Sequence, residues 1–332
     1  MSNVLEIKNL TVHYEMSDGI VKAVNDLSLT MEKGSTLGLV GETGAGKTTT
    51  AKSILRLLKM PPASFKSGQI IYEGEDLLKL DETAMRSVRG KKISMIFQDP
   101  MTSLNPVLTV EDQIAEVIEQ HEHLGKKGSL EKAREMLEMV GIPAKRGIEY
   151  PHQFSGGMKQ RVVIAIAMAC TPDLLLADEP TTALDVTIQA QVLDMMKELK
   201  EKQGTSLLLI THDLGVVAQN CDHVAIIYAG EVVEHGDVHE IFKNTAHPYT
   251  IGLLASVPRL DENVKRLKPI EGLMPDPTRL PKGCFFAPRC PRVCERCLNE
   301  HPDIREIEPG HTVRCFFAGA ENEPKGEGIG NE

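Results

Sequence analysis

Residues 41–48 read Gly-Glu-Thr-Gly-Ala-Gly-Lys-Thr, which matches the phosphate-loop pattern G-x-x-x-x-G-K-[ST]. Glycines allow the backbone to wrap closely around a phosphate group, and successive N–H groups then form a nest for the anion. The start of the following helix adds partial positive charge. Lys47 can reach the β- and γ-phosphates of a nucleotide, and the Thr48 hydroxyl can bind Mg²⁺. A predicted apolar strand at 36–40 and a predicted helix at 47–58 flank the loop, which is the context that favours nucleotide binding.

Strands and helices alternate on both sides of this loop. Apolar or alternating segments predict strands at 5–12, 27–31, 36–40, 93–97, 174–177, 206–210 and 224–228. Three- and four-residue spacing predicts helices at 47–58, 110–140, 158–170, 187–202 and 214–220. The alternation predicts an α/β fold with a mostly parallel sheet covered by helices, interrupted by a helical insert at about 100–165.

The regular pattern fades towards the C-terminus. Beyond Asp261 proline becomes frequent, so the sequence predicts a nucleotide-binding domain over 1–250 and a small cysteine-rich extension over 251–320. The last residues, 321–332, are rich in Gly and Glu and predict a flexible tail.

The composition is that of a globular protein, with 41% hydrophobic and 25% charged residues. The longest apolar stretch, 162–170, is far shorter than the roughly 18 residues that a membrane-spanning helix needs. The N-terminus lacks a basic region followed by an apolar core, so no secretory signal is recognised. We therefore expect a chain that does not cross a membrane by itself. The net charge of -10 argues against nucleic acid as the main partner, because phosphate binding needs a basic surface.

Two adjacent carboxylates follow the apolar strand predicted at 174–177. Asp178 at the strand end would lie at the carboxyl edge of the sheet, where it can hold the hydration shell of Mg²⁺. Glu179 could polarise an attacking water molecule, a role that contributes about two to four orders of magnitude in rate. The same two acids could simply end a strand and cap a helix, but the phosphate loop in the same chain favours the catalytic interpretation.

A second anion-binding element is predicted at Ser155-Gly156-Gly157, where a serine and two glycines precede a helix. One phosphate loop and two phosphate-binding edges in a single chain suggest that two chains share each nucleotide.

Together these elements strongly resemble the ABC ATPase family over residues 4–317. The resemblance implies a P-loop NTPase core with an antiparallel β subdomain and a helical signature subdomain. It also implies that ATP and Mg²⁺ are bound and that the signature loop at Ser155 contacts the γ-phosphate of the opposite subunit's ATP. Met158 departs from the family pattern, in which Gln often occupies this position, although several importer subunits look similar there. The implied nucleotide contacts are Tyr14, Gly41, Glu42, Thr43, Gly44, Ala45, Gly46, Lys47, Thr48, Thr49, Ser155, Gly156, Gly157, Asp178 and Asp185.

Further residues match the family one by one. Gln98 matches the glutamine that senses the metal and the attacking water, and His212 matches the switch histidine that contacts the γ-phosphate. The resemblance therefore implies that Glu179, His212 and Gln98 are catalytic. It also implies that Thr48, Gln98 and Asp178 hold Mg²⁺.

Two more matches concern the dimer and the base. Ala183-Leu184-Asp185 resembles the loop that crosses the interface between the two ATPase subunits. Tyr14, near the end of the first predicted strand, matches the aromatic residue that stacks on adenine. Stacking of a base on an aromatic ring is worth roughly 1–3 kcal/mol.

The stretch 97–106, Phe-Gln-Asp-Pro-Met-Thr-Ser-Leu-Asn-Pro, resembles the glutamine loop of the oligopeptide, dipeptide and nickel importer branch. His247-Pro248-Tyr249-Thr250 resembles the post-motor helix of that branch. The resemblance implies an ATPase that powers import and lies peripherally on the cytoplasmic face of the membrane. Its implied partners are a second ABC ATPase subunit, two membrane permease subunits and an extracytoplasmic substrate-binding protein. Peptide is the favoured cargo, with nickel, glutathione or sugars as alternatives.

Two other classes stay open from the residues alone. One is a soluble ABC ATPase that acts on ribosomes or DNA, although such proteins usually carry paired motors or long insertions that this chain lacks. The other is a regulatory module that uses ATP only as a clamp and does not hydrolyse it.

Five of the seven cysteines fall between Cys284 and Cys315, whereas Cys170 and Cys221 are predicted to be small buried hydrophobes. Thiolates at Cys284, Cys290, Cys297 and Cys315 favour zinc or an iron–sulfur cluster over hard cations. Structural zinc sites usually pair cysteines two to four positions apart, and Cys294 with Cys297 could form such a pair.

The importer branch has a C-terminal cluster motif that Gly283-Cys284, Arg289-Cys290-Pro291 and Cys297 resemble. The resemblance implies a 4Fe-4S cluster at Cys284, Cys290, Cys297 and Cys315, with zinc as the alternative. Cys294 is extra to the motif. Arg289, Arg292 and Arg296 are expected to offset the charge of the thiolates, and a thiolate cluster suits a reducing cytoplasm.

Overall fold

The computed structural model describes residues 2–182, 184–256 and 269–318. The predicted tail at 321–332 and Ala183 of the predicted interface loop lie outside the described residues.

The strands form two sheets, and the helices are distributed between and around them. The strands are β1 (Asn3–Met16), β2 (Gly19–Glu32), β3 (Thr36–Val40), β4 (Ala63–Tyr72), β5 (Glu75–Asp76), β6 (Ile93–Ile96), β7 (Leu174–Asp178), β8 (Ser206–Thr211), β9 (His223–Tyr228), β10 (Glu231–Asp237), β11 (Arg305–Glu308) and β12 (His311–Val313). The helices are α1 (Lys47–Ile54), α2 (Glu82–Val88), α3 (Pro100–Ser103), α4 (Val110–Glu122), α5 (Gly125–Met139), α6 (Gly156–Met168), α7 (Val186–Gln203), α8 (Leu214–Asn220), α9 (Val238–Lys243), α10 (Pro248–Ala255) and α11 (Glu295–Asn299).

The larger sheet has eight strands in the order β11-β12-β10-β9-β3-β8-β7-β6, of which β9, β3, β8, β7 and β6 are parallel. Every residue of β3, β7 and β8 is buried, because both faces of these strands are covered. Parallel strands end at the same edge of a sheet, so the residues that follow Val40, Asp178 and Thr211 meet there. The sequence-predicted strands and the α/β class are confirmed.

The smaller sheet is antiparallel, in the order β2-β1-β4-β5. Its inner face packs on one face of the central sheet, where Leu5 and Ile7 share a buried cluster with Leu37 and Leu208. This sheet is the antiparallel β subdomain that the family resemblance implied. Tyr14 on β1 pairs with Val21 on β2, which brings the end of this hairpin towards the edge of the central sheet that carries the phosphate loop.

The predicted helical stretch 110–140 forms two antiparallel helices, α4 and α5, rather than one. The chain turns at His123, which adopts a left-handed conformation with φ 55° at the end of α4. Ile114, Ile118 and Leu137 from the facing sides of this pair are fully buried. The helical insert is therefore confirmed, with a turn that the periodicity did not reveal.

The cysteine-rich region continues the central sheet, because β12 pairs with β10 at Glu234↔Val313 and His235↔Thr312. Aromatic rings of Tyr228, Tyr249 and Phe286 pack between the sheet and this region, with centroids 4.6–5.5 Å apart. In the described part of the chain, no helix combines the length and the apolarity needed to span a bilayer.

Candidate active site

A cavity of about 300 Å³ opens at the carboxyl edge of the central sheet. It brings together the phosphate loop, the residue after β7 and the residue after β8. Its lining residues are Val21, Ala23, Thr43, Gly44, Gly46, Lys47, Thr48, Thr49, Gln98, Glu179, His212 and Pro277.

Two glycines of the phosphate loop are required by the close approach of other backbone segments. A Cβ atom at Gly41 would collide with the carbonyl oxygen of Ile227. Gly46 has φ 102°, and a Cβ atom there would lie 2.5 Å from the carbonyl oxygen of Ala23. Since α1 begins at the next residue, its first N–H groups face the cavity, as anion binding at a helix start requires.

Lys47 is buried within the phosphate loop. Its Nζ donates to the carbonyl oxygens of Gly41 at 2.7 Å and Glu42 at 3.0 Å. Burial lowers the pKa of Lys47, while the carboxylates of Glu179 and Asp178 act in the opposite direction. The ammonium group thus lies among loop carbonyls, and the carboxylates of Glu179 and Asp178 stabilise its charge.

Asp178 is 2% exposed, and its Oδ1 has no hydrogen-bond partner among the described residues. Burial is the largest effect and raises the pKa of Asp178, while the Thr48 hydroxyl acts in the opposite direction. A buried carboxylate oxygen without a partner is costly, and oxygen ligands of this kind are those that Mg²⁺ binds. Asp178 and Thr48 therefore fit a magnesium site.

Glu179 is fixed by three side chains. Gln98 Nε2 and Thr182 Oγ1 each donate to Glu179 Oε2 at 3.0 Å, and His212 Nδ1 lies 3.3 Å from Oε1. Burial alone would raise the pKa of Glu179, but the hydrogen bonds from His212, Thr182 and Gln98 outweigh it, so the pKa lies below its usual value. Glu179 also has φ 49°, a left-handed conformation that non-glycine residues adopt at a cost. The site therefore holds an ionised, oriented carboxylate.

Several residues around the cavity were not predicted from the sequence. Thr182 lies three residues after Glu179 and donates a hydrogen bond to its carboxylate. This short spacing in the loop after β7 is the sequence feature that could have indicated the contact. Val21 and Ala23 lie two apart on one face of β2, which is ordinary strand alternation. Pro277 comes from the cysteine-rich extension, and no local pattern marks it.

Tyr14 is half-buried, and its hydroxyl lies 3.4 Å from Oγ1 of Thr49. It does not belong to the residues that line the cavity, whereas its cross-strand neighbour Val21 does. The structure thus places Tyr14 at the margin of the cavity.

Besides Tyr14, eight predicted residues do not line the cavity of their own chain: Gly41, Glu42, Ala45, Ser155, Gly156, Gly157, Asp178 and Asp185. Ser155 is the N-cap of α6 and accepts a hydrogen bond from the N–H of Met158 at 3.4 Å. Asp185 is exposed and caps α7 by accepting from the N–H of Ile188 at 3.0 Å.

Four thiols converge on a second, small and apolar pocket, which is closed by phenylalanine and proline side chains. It is lined by His247, Pro248, Cys284, Phe286, Ala287, Cys290, Cys297, Pro302, Cys315, Phe316 and Phe317. Burial, together with the neighbouring thiols, raises the pKa of Cys284 to about 12 and that of Cys290 to about 11.

Cys294 lies just outside this pocket, with its Sγ 3.5 Å from Sγ of Cys297. Among the described residues, no three cysteine sulfur atoms lie within 4.8 Å of one another. The remaining two cysteines, Cys170 and Cys221, are buried in the core, as the sequence predicted.

The expected charge compensation by three arginines holds only in part. The Arg292 guanidinium lowers the pKa of Cys290, against the larger effect of burial. The Arg296 guanidinium lies over the ring of Phe316, 4.1 Å from its centroid. Arg289 instead pairs with Glu42 in the phosphate loop at 2.9 Å.

The site combines a phosphate loop, a carboxylate suited to Mg²⁺ and an oriented glutamate at the edge of a parallel sheet. Together with the antiparallel subdomain and the helical insert, these features define a P-loop ATPase of the ABC type. The family model described as "ABC transporter" matches residues 24–182, and the model described as "Oligopeptide/dipeptide transporter, C-terminal region" matches residues 233–297.

Similar proteins cover nearly the whole chain. It is 50% identical to the oligopeptide transport ATP-binding protein OppD of Bacillus subtilis over 320 residues, 96% of this chain and 89% of that protein. It is also 50% identical to the dipeptide transport ATP-binding protein DppD of the same organism, over 96% of this chain and 95% of that protein. The ATP-binding cassette MJ0796, whose dimer has been solved in a post-hydrolysis state with ADP and Pi, superposes with a TM-score of 0.63 at 28% identity, covering 70% of this chain and 98% of that one.

The chain belongs to the ABC transporter family, among its oligopeptide and dipeptide transport ATP-binding proteins.

Proposed function

We propose that this chain hydrolyses ATP to power the import of peptides through a membrane permease. The observation that carries the proposal is the carboxylate of Glu179, held by Gln98, Thr182 and His212 at the edge of a phosphate-loop cavity. The names of the relatives, oligopeptide and dipeptide transport proteins, support peptide as the cargo.

The residues divide the chemistry between them. Lys47 and the N–H groups of residues 41–49 would bind the phosphates of ATP. Thr48, Asp178 and Gln98 would hold Mg²⁺, which would supply positive charge against the transferred phosphoryl group. Glu179 accepts a hydrogen bond from the attacking water and orients it. Because its pKa lies below the usual value, Glu179 is ionised at neutral pH and acts by orientation more than by strong basicity.

The nucleotide-binding site is completed by a second ATPase subunit. Ser155, Gly156, Gly157 and Asp185 do not line the cavity of their own chain, and Ser155 is the exposed N-cap of α6. These groups would contact the γ-phosphate bound by the partner ATPase, whereas Tyr14 at the cavity margin would stack on adenine. His212, 66% exposed, would turn to the γ-phosphate when the two subunits close.

The helical insert carries an apolar surface suited to a permease. Val107 is 74% exposed, Ile148 64% and Tyr150 40%. A backbone hydrogen bond from Val110 N–H to the Glu149 carbonyl at 3.0 Å holds the two loops together. Grouped apolar side chains at a surface mark interaction sites. We assign this surface to the membrane permease subunits, which would place the ATPase peripherally on the cytoplasmic face, supplied by an extracytoplasmic substrate-binding protein.

Val107→Asp tests the import function. In cells that lack the wild-type gene, we expect the variant to restore uptake of a labelled tripeptide at least about tenfold less well than the wild type, because a buried interface charge is costly. Nickel and sugar uptake should not depend on the gene. Leu124→Asp is the matched control, because Leu124 is an exposed leucine of the same helical insert, at the N-cap of α5, whereas Ile148 follows the C-terminal end of that helix. This variant should restore uptake. Normal peptide uptake without the gene would remove peptide as the cargo, and normal uptake with Val107→Asp would remove this surface as the permease contact.

The extension over 251–320 forms, in this proposal, a cluster-binding unit appended to the ATPase domain over 1–250. Cys284, Cys290, Cys297 and Cys315 would hold a 4Fe-4S cluster, which when bound links these four positions through iron–sulfur bonds. Tetrahedral zinc requires its thiolates to lie about 3.8 Å apart, as follows from Zn–S bonds of about 2.3 Å. Among the described residues Cys294 and Cys297 lie that close, at 3.5 Å, but no third sulfur lies within 4.8 Å of both, which supports the cluster over zinc.

Metal analysis of anaerobically purified protein tests the cluster. We expect about four iron and four sulfide per chain and no stoichiometric zinc. Cys290→Ser should lose most of the iron and the visible absorption, because a ligand in the pocket is missing. The buried Cys221→Ser is the matched control and should retain both, and Cys294→Ser should also retain both. Stoichiometric zinc without sulfide would overturn the assignment in favour of a zinc site that includes Cys294.

A further inference from the structure

The extension reaches the nucleotide cavity as well as the thiol pocket. Pro277 lines the cavity beside Val21 and Ala23, and its carbonyl oxygen accepts a hydrogen bond from Lys22 N–H at 3.0 Å. Since β2 is an edge strand of the antiparallel sheet, this bond attaches the segment 269–279 to the strand beside Tyr14. Pro277 therefore lies on the side of the cavity where the base is expected.

The same segment contacts the phosphate loop directly. A Cβ atom at Gly44 would lie 3.1 Å from Cε of Met274, so this methionine packs on the loop backbone. Asp276 Oδ1 accepts from the N–H and hydroxyl of Thr278 at 2.8 and 2.7 Å, which fixes the turn that contains Pro277. Contacts within the chain thus fix the shape of this segment.

Arg289 ties this segment to the phosphate loop. Its two terminal nitrogens donate to the two carboxylate oxygens of Glu42 at 2.9 and 3.0 Å, a bidentate pair with the arginine side chain 4% exposed. Its Nε donates to the carbonyl oxygen of Glu271 at 3.1 Å, and one Nη to that of Ile270 at 3.4 Å.

Glu42 is held at both its ends. Its N–H donates to the hydroxyl of Tyr249 at 3.0 Å, while its side chain binds Arg289. Its carbonyl oxygen accepts from Lys47 Nζ at 3.0 Å. Arg289 therefore reaches the phosphate-binding lysine through a single intervening residue.

We infer that the extension is a structural part of the nucleotide site: Pro277 forms a wall of the base pocket, and Arg289 is a positioning residue for the phosphate loop through Glu42. The inference rests on the proposed ATP-binding function. The inference requires that Arg289 affects the binding of every ligand held by the phosphate loop, whereas Pro277 affects the binding only of ligands that carry a base.

The test compares MgATP with inorganic tripolyphosphate, which lacks the base, in the full-length protein. We expect Arg289→Ala to raise the KM for MgATP and the inhibition constant of tripolyphosphate about tenfold each, with kcat within about threefold. Pro277→Ser should raise the KM for MgATP about threefold or more and leave the tripolyphosphate constant unchanged. Arg279→Ala, an exposed arginine of the same segment, is the control and should change neither constant.

A double-mutant cycle establishes the route. Glu42→Ala combined with Arg289→Ala should raise KM no further than either single change, because both break one ion pair. Additive effects, or an unchanged KM in Arg289→Ala, would overturn the inference. Arg289→Lys, which keeps the charge but loses the bidentate geometry, should give an intermediate KM and covers the case in which Arg289→Ala does not fold. Failure of the wild type to bind MgATP would instead overturn the proposed function.

Discussion

Glu179→Gln should lower kcat for ATP hydrolysis by about two to four orders of magnitude while MgATP still binds. Glutamine has nearly the same shape, so the contacts with Gln98, Thr182 and His212 need little rearrangement. The amide carries no negative charge and cannot take up a proton from the attacking water. Phosphate release at saturating MgATP measures the loss, and titration with a fluorescent ATP analogue measures binding.

Glu201→Gln is the matched control for this change, since Glu201 is an exposed acid in α7. It should leave kcat unchanged. Hydrolysis by Glu179→Gln at the wild-type rate would remove Glu179 from the catalytic role. Loss of MgATP binding in that variant would show instead that the carboxylate shapes the cavity.

Lys47→Ala should raise the Kd for MgATP by at least about a hundredfold, because charge-assisted hydrogen bonds to the phosphates contribute about 1.5–3 kcal/mol each. The variant also removes the cation whose charge the carboxylates of Glu179 and Asp178 stabilise, so the phosphates meet more negative charge. Calorimetric titration with MgATP measures the loss directly.

The control for Lys47→Ala is Lys59→Ala, which removes an exposed lysine beyond the end of α1. Its Kd for MgATP should equal that of the wild type. A Kd for Lys47→Ala within a few-fold of the wild type would contradict the phosphate-binding role. The melting temperature without nucleotide distinguishes a lost ligand contact from a damaged fold.

Local patterns predicted much of the fold. The strand Thr36–Val40 and the helix Leu214–Asn220 have the bounds that were predicted, because buried strands read as apolar runs and Asp213 caps the helix that follows it. The helix after the phosphate loop was predicted to reach residue 58 but ends at Ile54. Arg56, with φ 51°, leaves the helical conformation there, and nothing in the local spacing indicates this.

Contacts between distant parts of the chain could not be predicted from one sequence. The strands β11 and β12 are short; β12 is stabilised by pairing with β10, about 80 positions earlier, and β11 pairs with β12. Arg289 was expected to face the thiolates, but it binds Glu42, 247 positions away. Periodicity reports which face of an element is buried, and it carries no information about which charged group a long side chain will meet.

The pairing of β12 with β10 also concerns how the protein avoids self-association. An uncovered edge strand offers unpaired N–H and C=O groups to any other chain, and natural proteins cover or charge such edges. The β11–β12 hairpin caps that side of the central sheet, and its last strand ends beside a pocket cysteine. Glu234 on β10 is fully buried, and its Oε1 lies 2.9 Å from Nε2 of His311 on β12. A chain that ended after α10 would keep the phosphate loop, and the backbone N–H groups of Ala246 and His247 would still bind Glu234, but the N–H and C=O groups of β10 that pair with β12 would be open to other chains.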